Sequence, residues 1–166
     1  MTETRWLSHS EQQLWRAYLE ATQRLWERLA RELEDTDQLP LGEYEVLVRL
    51  SEAAGGSLRM SDLAELVAHS RSRLTHAVSR MEARGLVTRR PCSDDGRGVV
   101  CGVTPKGLAA LTASAPVHVA GVREHLFDQL DEEEAQVVGR VLTKVAEHLR
   151  ETRPSVRPAV RETLGA

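Results

Sequence analysis

The feature that most constrains the fold of this chain is a hairpin pattern placed directly after an amphipathic helix. Residues 71–84 have helical periodicity, and Gly85 supplies a residue suited to a helix end. The stretch 86–90 alternates as a strand does, the turn-forming stretch 91–98 follows, and the β-branched stretch 99–103 predicts a return strand. A helix followed directly by a two-stranded hairpin is therefore predicted over residues 71–103.

The residues before this helix complete a known order of elements. Residues 41–53 predict a helix, and residues 58–60 predict a short extended piece. Ser61 is the predicted N-cap of a short helix that ends near Val67. The order over 41–103 is therefore helix, short strand, helix, turn, helix and hairpin, which is a winged helix-turn-helix arrangement.

Long helices are predicted on both sides of this region. Residues 9–34 predict one helix with a stripe at 4-3-4-3-4 spacing, apolar except for Thr22: Trp15, Leu19, Thr22, Trp26, Leu29 and Leu33. Thr104 is the predicted cap of a second long helix, which Pro116 should kink or interrupt. Asp131 is the predicted cap of a last helix with apolar residues at 4-3-4 spacing. These stripes offer more apolar surface than a small neighbouring core needs, so we expect dimerisation.

The expected fold class is mainly α with a small β-hairpin wing. We assign residues 41–104 to a winged helix-turn-helix DNA-binding domain, residues 9–34 and 105–150 to a helical dimerisation region, and residues 151–166 to a loose tail. No apolar run is long enough to span a membrane, and the N-terminus has no apolar signal region. We therefore expect a cytoplasmic protein without a membrane partner.

The charge of the chain is distributed unevenly. The formal net charge of the 166 residues is -3, yet residues 70–97 contain seven arginines and three acids, a local net of +4. Affinity for phosphate depends on the face that is presented rather than on the total charge. A nucleic-acid partner is therefore compatible with an acidic chain.

The helix at 71–84 has two chemically different faces. Its inward face is apolar and consists of Leu74, Ala77, Val78 and Met81. Its outward face is small, polar and basic and consists of Ser72, Arg73, Thr75, His76, Ser79 and Arg80. Short hydroxyls allow close approach to phosphates, and arginine can contact guanine edges. A plain solvated face is the alternative.

The hairpin loop carries a second candidate contact. Arg97 at the tip could enter a minor groove, with Asp94 and Asp95 orienting its guanidinium group. An ordinary turn with an incidental salt bridge is the alternative, and the position directly after the polar helix favours the functional interpretation.

Several ordered motifs in the chain resemble the MarR family of bacterial regulators. They include Gly85-Leu86-Val87, Asp95-Gly96-Arg97 and Val103-Thr104-Pro105-Lys106-Gly107, together with the upstream run that starts at Leu41. The resemblance implies a homodimeric regulator of transcription that binds a pseudo-palindromic double-stranded DNA operator with two recognition helices. Most members of the family repress neighbouring genes, and many are released by small aromatic effectors. By position, the implied DNA-binding residues are Ser70, Arg71, Ser72, Arg73, Thr75, His76, Ser79, Arg80, Arg90 and the wing residue Arg97.

Other side chains could respond to a signal. A possible pocket for an aromatic ligand comprises Trp15, Tyr18, Thr22, Trp26 and Tyr44, although aromatic residues at helical spacing are more often packing residues. Cys92 and Cys101 are expected to be reduced thiols, unless the hairpin register places them opposite each other. His118, His125 and His148 are expected to be ordinary surface histidines, with no metal site and no cofactor.

Three function classes can be weighed against one another. A ligand-released repressor is favoured, and a DNA-binding regulator without an effector is the first alternative. A protein-interaction module on a winged-helix scaffold is the second. The sequence has no phosphate-binding loop, nucleophile elbow or zinc-protease motif, so no enzyme activity is expected.

Overall fold

The architecture is given by a computed structural model that describes residues 3–36, 39–67, 71–92 and 98–151. The helices are α1 (His9–Asp35), α2 (Leu41–Glu52), α3 (Met60–Leu66), α4 (Arg71–Ala83), α5 (Pro105–His125) and α6 (Glu132–Glu151). The strands are β1 (Ser57–Arg59), β2 (Val87–Pro91) and β3 (Val99–Val103). Short 3-10 turns lie at Ala54–Gly56 and Phe127–Gln129. The predicted fold class, mainly helical with a small β wing, is confirmed.

The chain divides into two compact units, residues 1–126 and residues 127–166. The first unit contains α1 to α5 and the sheet, and the second contains α6. Within the described residues, no helix is long and apolar enough to cross a membrane.

Side-chain caps mark the start of three helices, α1, α5 and α6. Ser8 and Glu11 form a reciprocal capping box at the start of α1. The predicted cap at Thr104 is confirmed, since its hydroxyl accepts a hydrogen bond from the Gly107 amide at 3.0 Å. The predicted cap at Asp131 is also confirmed, since it accepts from the Glu134 amide at 2.8 Å.

The predicted start of α3 was wrong, and the predicted interruption of α5 at Pro116 does not occur. The helix α3 begins at Met60, because β1 leads directly into it and Arg59 occupies the N-cap position without a side-chain cap. The hydroxyl of Ser61 instead donates to the Asp62 carboxylate at 2.8 Å. Pro116 does not interrupt α5, which continues through it as one helix. Contacts of α5 with α1 and α2 compensate for the backbone hydrogen bond that proline cannot donate.

The sheet has three strands in the order β1-β3-β2, all antiparallel. The predicted extended piece near residue 58 therefore joins the hairpin as an edge strand. The register forms rows across the sheet, with Val100 between Arg59 and Arg90, and with Cys101 between Leu58 and Arg89. Since directly opposed residues point to the same face, these two rows lie on opposite faces.

The core unites the winged region with part of α1. Leu47, Leu50 and Leu63 have no exposed surface, and neither do Val78 and Met81 of α4. The same cluster includes Leu29 and Leu33 from the second half of α1.

A close approach joins the end of α4 to the start of α5. A Cβ atom at position 107 would clash with the Leu86 carbonyl oxygen, so glycine is required there. The Thr104 hydroxyl donates to the Gly85 carbonyl at 2.8 Å, and Lys106 Nζ donates to the Arg84 carbonyl at 2.7 Å. Gly85 itself has a φ of 74°, a left-handed conformation that suits its predicted role as the stop of α4.

Candidate nucleic-acid interface

The two faces of α4 are arranged as its periodicity predicts. Leu74, Val78 and Met81 are buried against α2 and α3, and Ala77 is half-buried. On the other side of the helix, Ser79 is half-buried and the other five predicted DNA contacts are exposed. These five are Ser72, Arg73, Thr75, His76 and Arg80. Ser70 and the side chain of Arg71 lie outside the described residues. The helix therefore presents a short, polar and basic surface on an apolar base.

A buried carboxylate holds the C-terminal half of α4 against α2. Glu43 is only 3% exposed, and its Oε2 lies 2.6 Å from Arg84 Nη1 while its Oε1 lies 3.6 Å from Arg80 Nε. A carboxylate at this depth is stable only when cations and hydrogen bonds compensate for its lost hydration. Sequence reasoning missed Glu43, although two arginines at i and i+4 were a signal that they could share a partner.

A second carboxylate joins α4 to the wing. Glu82 Oε2 accepts from Arg89 Nε at 2.9 Å and from Nη2 at 2.6 Å, and Oε1 accepts from the Arg89 amide at 2.9 Å. These hydrogen bonds lower the pKa of the Glu82 carboxyl. The first strand of the wing is thus fixed in its orientation to the helix.

The tip of the wing, with Asp94, Asp95 and Arg97, lies outside the described residues. Below it, Arg90 is exposed on the outer face of the sheet, in the row that also contains Arg59. The predicted roles of the three tip residues remain predictions.

The two cysteines do not face each other across the hairpin. Cys101 pairs with Arg89, whereas the Cys92 amide donates to the Gly98 carbonyl at 2.8 Å, and both thiols are free. Burial raises the pKa of Cys101 to about 11. Its thiolate is therefore scarce at neutral pH, and Cys101 is a poor nucleophile.

The side chains of the predicted aromatic pocket lie in different environments. Trp15 and Tyr18 stack on α1 with ring centroids 5.9 Å apart, and Trp26 is also exposed. The Thr22 hydroxyl donates to the Tyr18 carbonyl at 2.7 Å. Tyr44 is buried in the core. The structure thus brings two of the aromatic rings together, and the pocket remains a prediction.

Two histidines predicted to be surface residues are half-buried. The His118 ring lies 4.5 Å from the Tyr44 ring, its Nδ1 is buried without a hydrogen-bond partner, and burial lowers its pKa. His125 Nε2 lies 2.7 Å from the Glu32 carboxylate, which joins α5 to α1. Sequence reasoning missed both roles because the partners lie far away in the chain. Within the described ranges, no group of three or more His, Cys, Asp or Glu side chains could hold a metal ion.

Comparison with known proteins agrees with this arrangement. A family model described as the MarR family matches residues 37–98. The chain is similar to AbsC, a MarR family transcriptional regulator from Streptomyces coelicolor. The two are 42% identical, with 89% of this chain and 99% of that chain covered, at a TM-score of 0.81.

A second MarR family regulator from Streptomyces coelicolor, solved in complex with DNA, is 40% identical. The match covers 90% of this chain and 94% of that chain, at a TM-score of 0.83. BpsR from Bordetella bronchiseptica is 22% identical over 81% of this chain and 98% of its own, at a TM-score of 0.71, and shows the fold alone. The identity and coverage of the two Streptomyces proteins decide the assignment: this chain belongs to the MarR family of DNA-binding transcriptional regulators, which are not enzymes.

Proposed function

We propose that this chain is a homodimeric repressor that reads a pseudo-palindromic operator in double-stranded DNA. The observation that carries the proposal is the exposed polar and basic face of α4, held on a buried apolar base. The proposed DNA contacts from α4 and the residue before it are Ser70, Arg71, Ser72, Arg73, Thr75, His76, Ser79 and Arg80. The wing contributes Arg90 and Arg97. In this arrangement residues 41–104 read DNA, in the cytoplasm.

The proposed dimer uses residues 9–34 and 105–150. Large apolar side chains on α1 are exposed, among them Leu14, Trp15 and Trp26. The helix α6 has no buried residue, and its apolar residues Val141, Leu142 and Leu149 are exposed. Apolar faces of this size on long helices are typical of interfaces, and a second copy of the chain supplies a matching surface.

The proposed regulation is release from DNA by a small aromatic effector. BpsR, a protein of the same fold, has its DNA binding regulated by 6-hydroxynicotinic acid. The candidate residues for this chain are Trp15, Tyr18, Thr22, Trp26 and Tyr44. A regulator without an effector is the alternative, and loss of DNA binding on addition of aromatic acids or phenols would distinguish the two.

Selection of binding sites from a random duplex pool tests the DNA-reading function. The expected result is an enriched inverted repeat with half-site centres about 10 base pairs apart, and binding that weakens steeply between roughly 50 and 200 mM salt. An absence of enrichment, with affinity insensitive to salt, would favour a protein-interaction module instead.

A further inference from the structure

We propose that the outer face of the three-stranded sheet is a second phosphate-binding surface, on which Arg59 and Arg90 hold the backbone of the operator duplex. The inference rests on the proposed function, since it names a further contact of a chain that binds DNA. It adds Arg59 to the DNA-binding residues. This arginine lies in β1, outside both the recognition helix and the wing tip.

The strand register places the two arginines side by side. Arg59 of β1 and Arg90 of β2 both pair with Val100 of β3, one from each side. They therefore point to the same face, with Cα atoms about 10 Å apart, or two strand spacings. Long guanidinium side chains at that separation can converge on one phosphate or hold two adjacent ones.

The neighbouring row on this face is small and polar. Gly102 lies between Ser57 and Thr88, and a Cβ atom at position 102 would lie 3.6 Å from the Thr88 hydroxyl. The absence of a side chain there leaves space between two hydroxyl groups that can hydrogen-bond a phosphate oxygen.

A cavity of about 330 Å³ opens on the same face. Arg59 and Arg90 contribute its basic groups, and Asp62 contributes its one acid. The remaining lining residues are Ser57, Leu58, Cys92 and Val100. The net positive charge of the lining favours an anion over a cation or an apolar ligand.

The row on the opposite face contains the next arginine of β2, Arg89, which has a different role. Arg89 points inward and is bound to Glu82 of α4 by its side chain and its amide. The same tie fixes the sheet to the recognition helix, so that the outer arginines keep a defined position while α4 lies in a groove. A phosphate contact from such a surface sets the register of the protein on DNA without reading its sequence.

The test compares Arg59→Gln with Arg24→Gln, which removes the same charge from an exposed i,i+4 pair on α1. Binding to the selected operator and to a scrambled duplex is measured from 50 to 300 mM salt. Arg59→Gln should weaken binding to both duplexes by roughly tenfold at low salt, since charge-assisted hydrogen bonds are lost. It should also reduce the magnitude of the slope of log affinity against log salt by about one.

The variant Arg24→Gln should leave both quantities unchanged. Arg59→Lys, which keeps the charge, should retain the salt slope, and this separates a phosphate contact from a folding defect. If the wild-type protein binds DNA and the two glutamine variants have the same affinity and salt slope, the outer-face contact is wrong and the proposed function stands. If the wild-type protein binds neither duplex, both are overturned.

Discussion

The winged region and the first half of α1 bury their apolar side chains to very different degrees. Leu47 and Leu63 in the winged region are completely buried, whereas Leu14 and Trp15 on α1 are more than half exposed. Both regions carry apolar residues at helical spacing, and that spacing alone does not tell which apolar side chains are buried within the chain. The winged region completes its core within one chain, and the apolar side chains exposed on α1 are those that the proposed dimer would cover.

The largest effect should come from the winged core itself. Leu74→Ala should lower the free energy of unfolding by about 2–5 kcal/mol, because it leaves a cavity beneath α4. Chemical denaturation measures this. Leu66→Ala in α3 is the matched control, since Leu66 is about half exposed and its loss should cost less than about 0.5 kcal/mol. Equal effects of the two changes would mean that α4 is rotated from the described orientation.

The exposed helices should respond through association rather than through folding of the chain. Leu142→Glu on α6 should weaken the dimer by roughly a hundredfold or more, because it introduces a charge into the proposed interface. Sedimentation equilibrium measures the change. Thr143→Glu adds the same charge at a neighbouring exposed position of α6 and should have little effect. A wild-type protein that sediments as a monomer at micromolar concentration would contradict the proposed interface.

The buried Glu43 carboxylate tests whether ion pairs inside the winged region stabilise it. Glu43→Gln should cost about 1–3 kcal/mol of stability, because Arg84 loses a charge-assisted partner and the remaining amide is buried. Thermal or chemical denaturation measures it. The exposed pair on α1 provides the control, since Glu20→Gln should cost no more than about 1 kcal/mol. If Glu43→Gln is as mild as Glu20→Gln, Glu43 does not anchor α4.

The smallest effect concerns the contact of α1 with α5. Burial alone would raise the pKa of Glu32, but hydrogen bonds from His125 and Arg28 outweigh burial and lower it. A carboxyl whose pKa is lowered in the folded state contributes stability above its unfolded value of 4.5, and that stability is lost as the pH falls below this value. Denaturation at pH 6 and about pH 3.5 should show a smaller acid loss for Glu32→Gln than for the wild type. An unchanged pH profile would show that the pair contributes nothing.

The sequence predicted the parts of the fold that depend on local periodicity. The inward Leu74 and outward His76 of α4 follow from a 3.6-residue repeat, and the hairpin follows from its turn residues. The start of α3 was misplaced by two residues, because a strand that runs directly into a helix puts Arg59 at the N-cap position and leaves no place for a separate cap at Ser61. Pro116 was overestimated as a helix breaker, because packing against other helices outweighs one lost hydrogen bond.

The exposed side chains of the candidate site could be predicted from the sequence. The pairs between residues distant in the chain could not. The polar face of α4 could be read from spacing alone. The Glu43 pair with Arg84 joins residues 41 positions apart, and the His125 pair with Glu32 joins residues 93 positions apart. No local pattern specifies such pairs, since they depend on which helix faces come together in the folded chain.

The presence of Leu29 and Leu33 in the winged core limits how freely the winged region of this chain can be transplanted. A fragment of residues 41–104 would contain every side chain proposed to contact DNA. It would also leave open the space that two fully or nearly fully buried leucines of α1 occupy. A graft of this module onto another protein therefore has to include the last turns of α1, and the boundary of the portable unit lies inside a helix rather than in the loop that follows it.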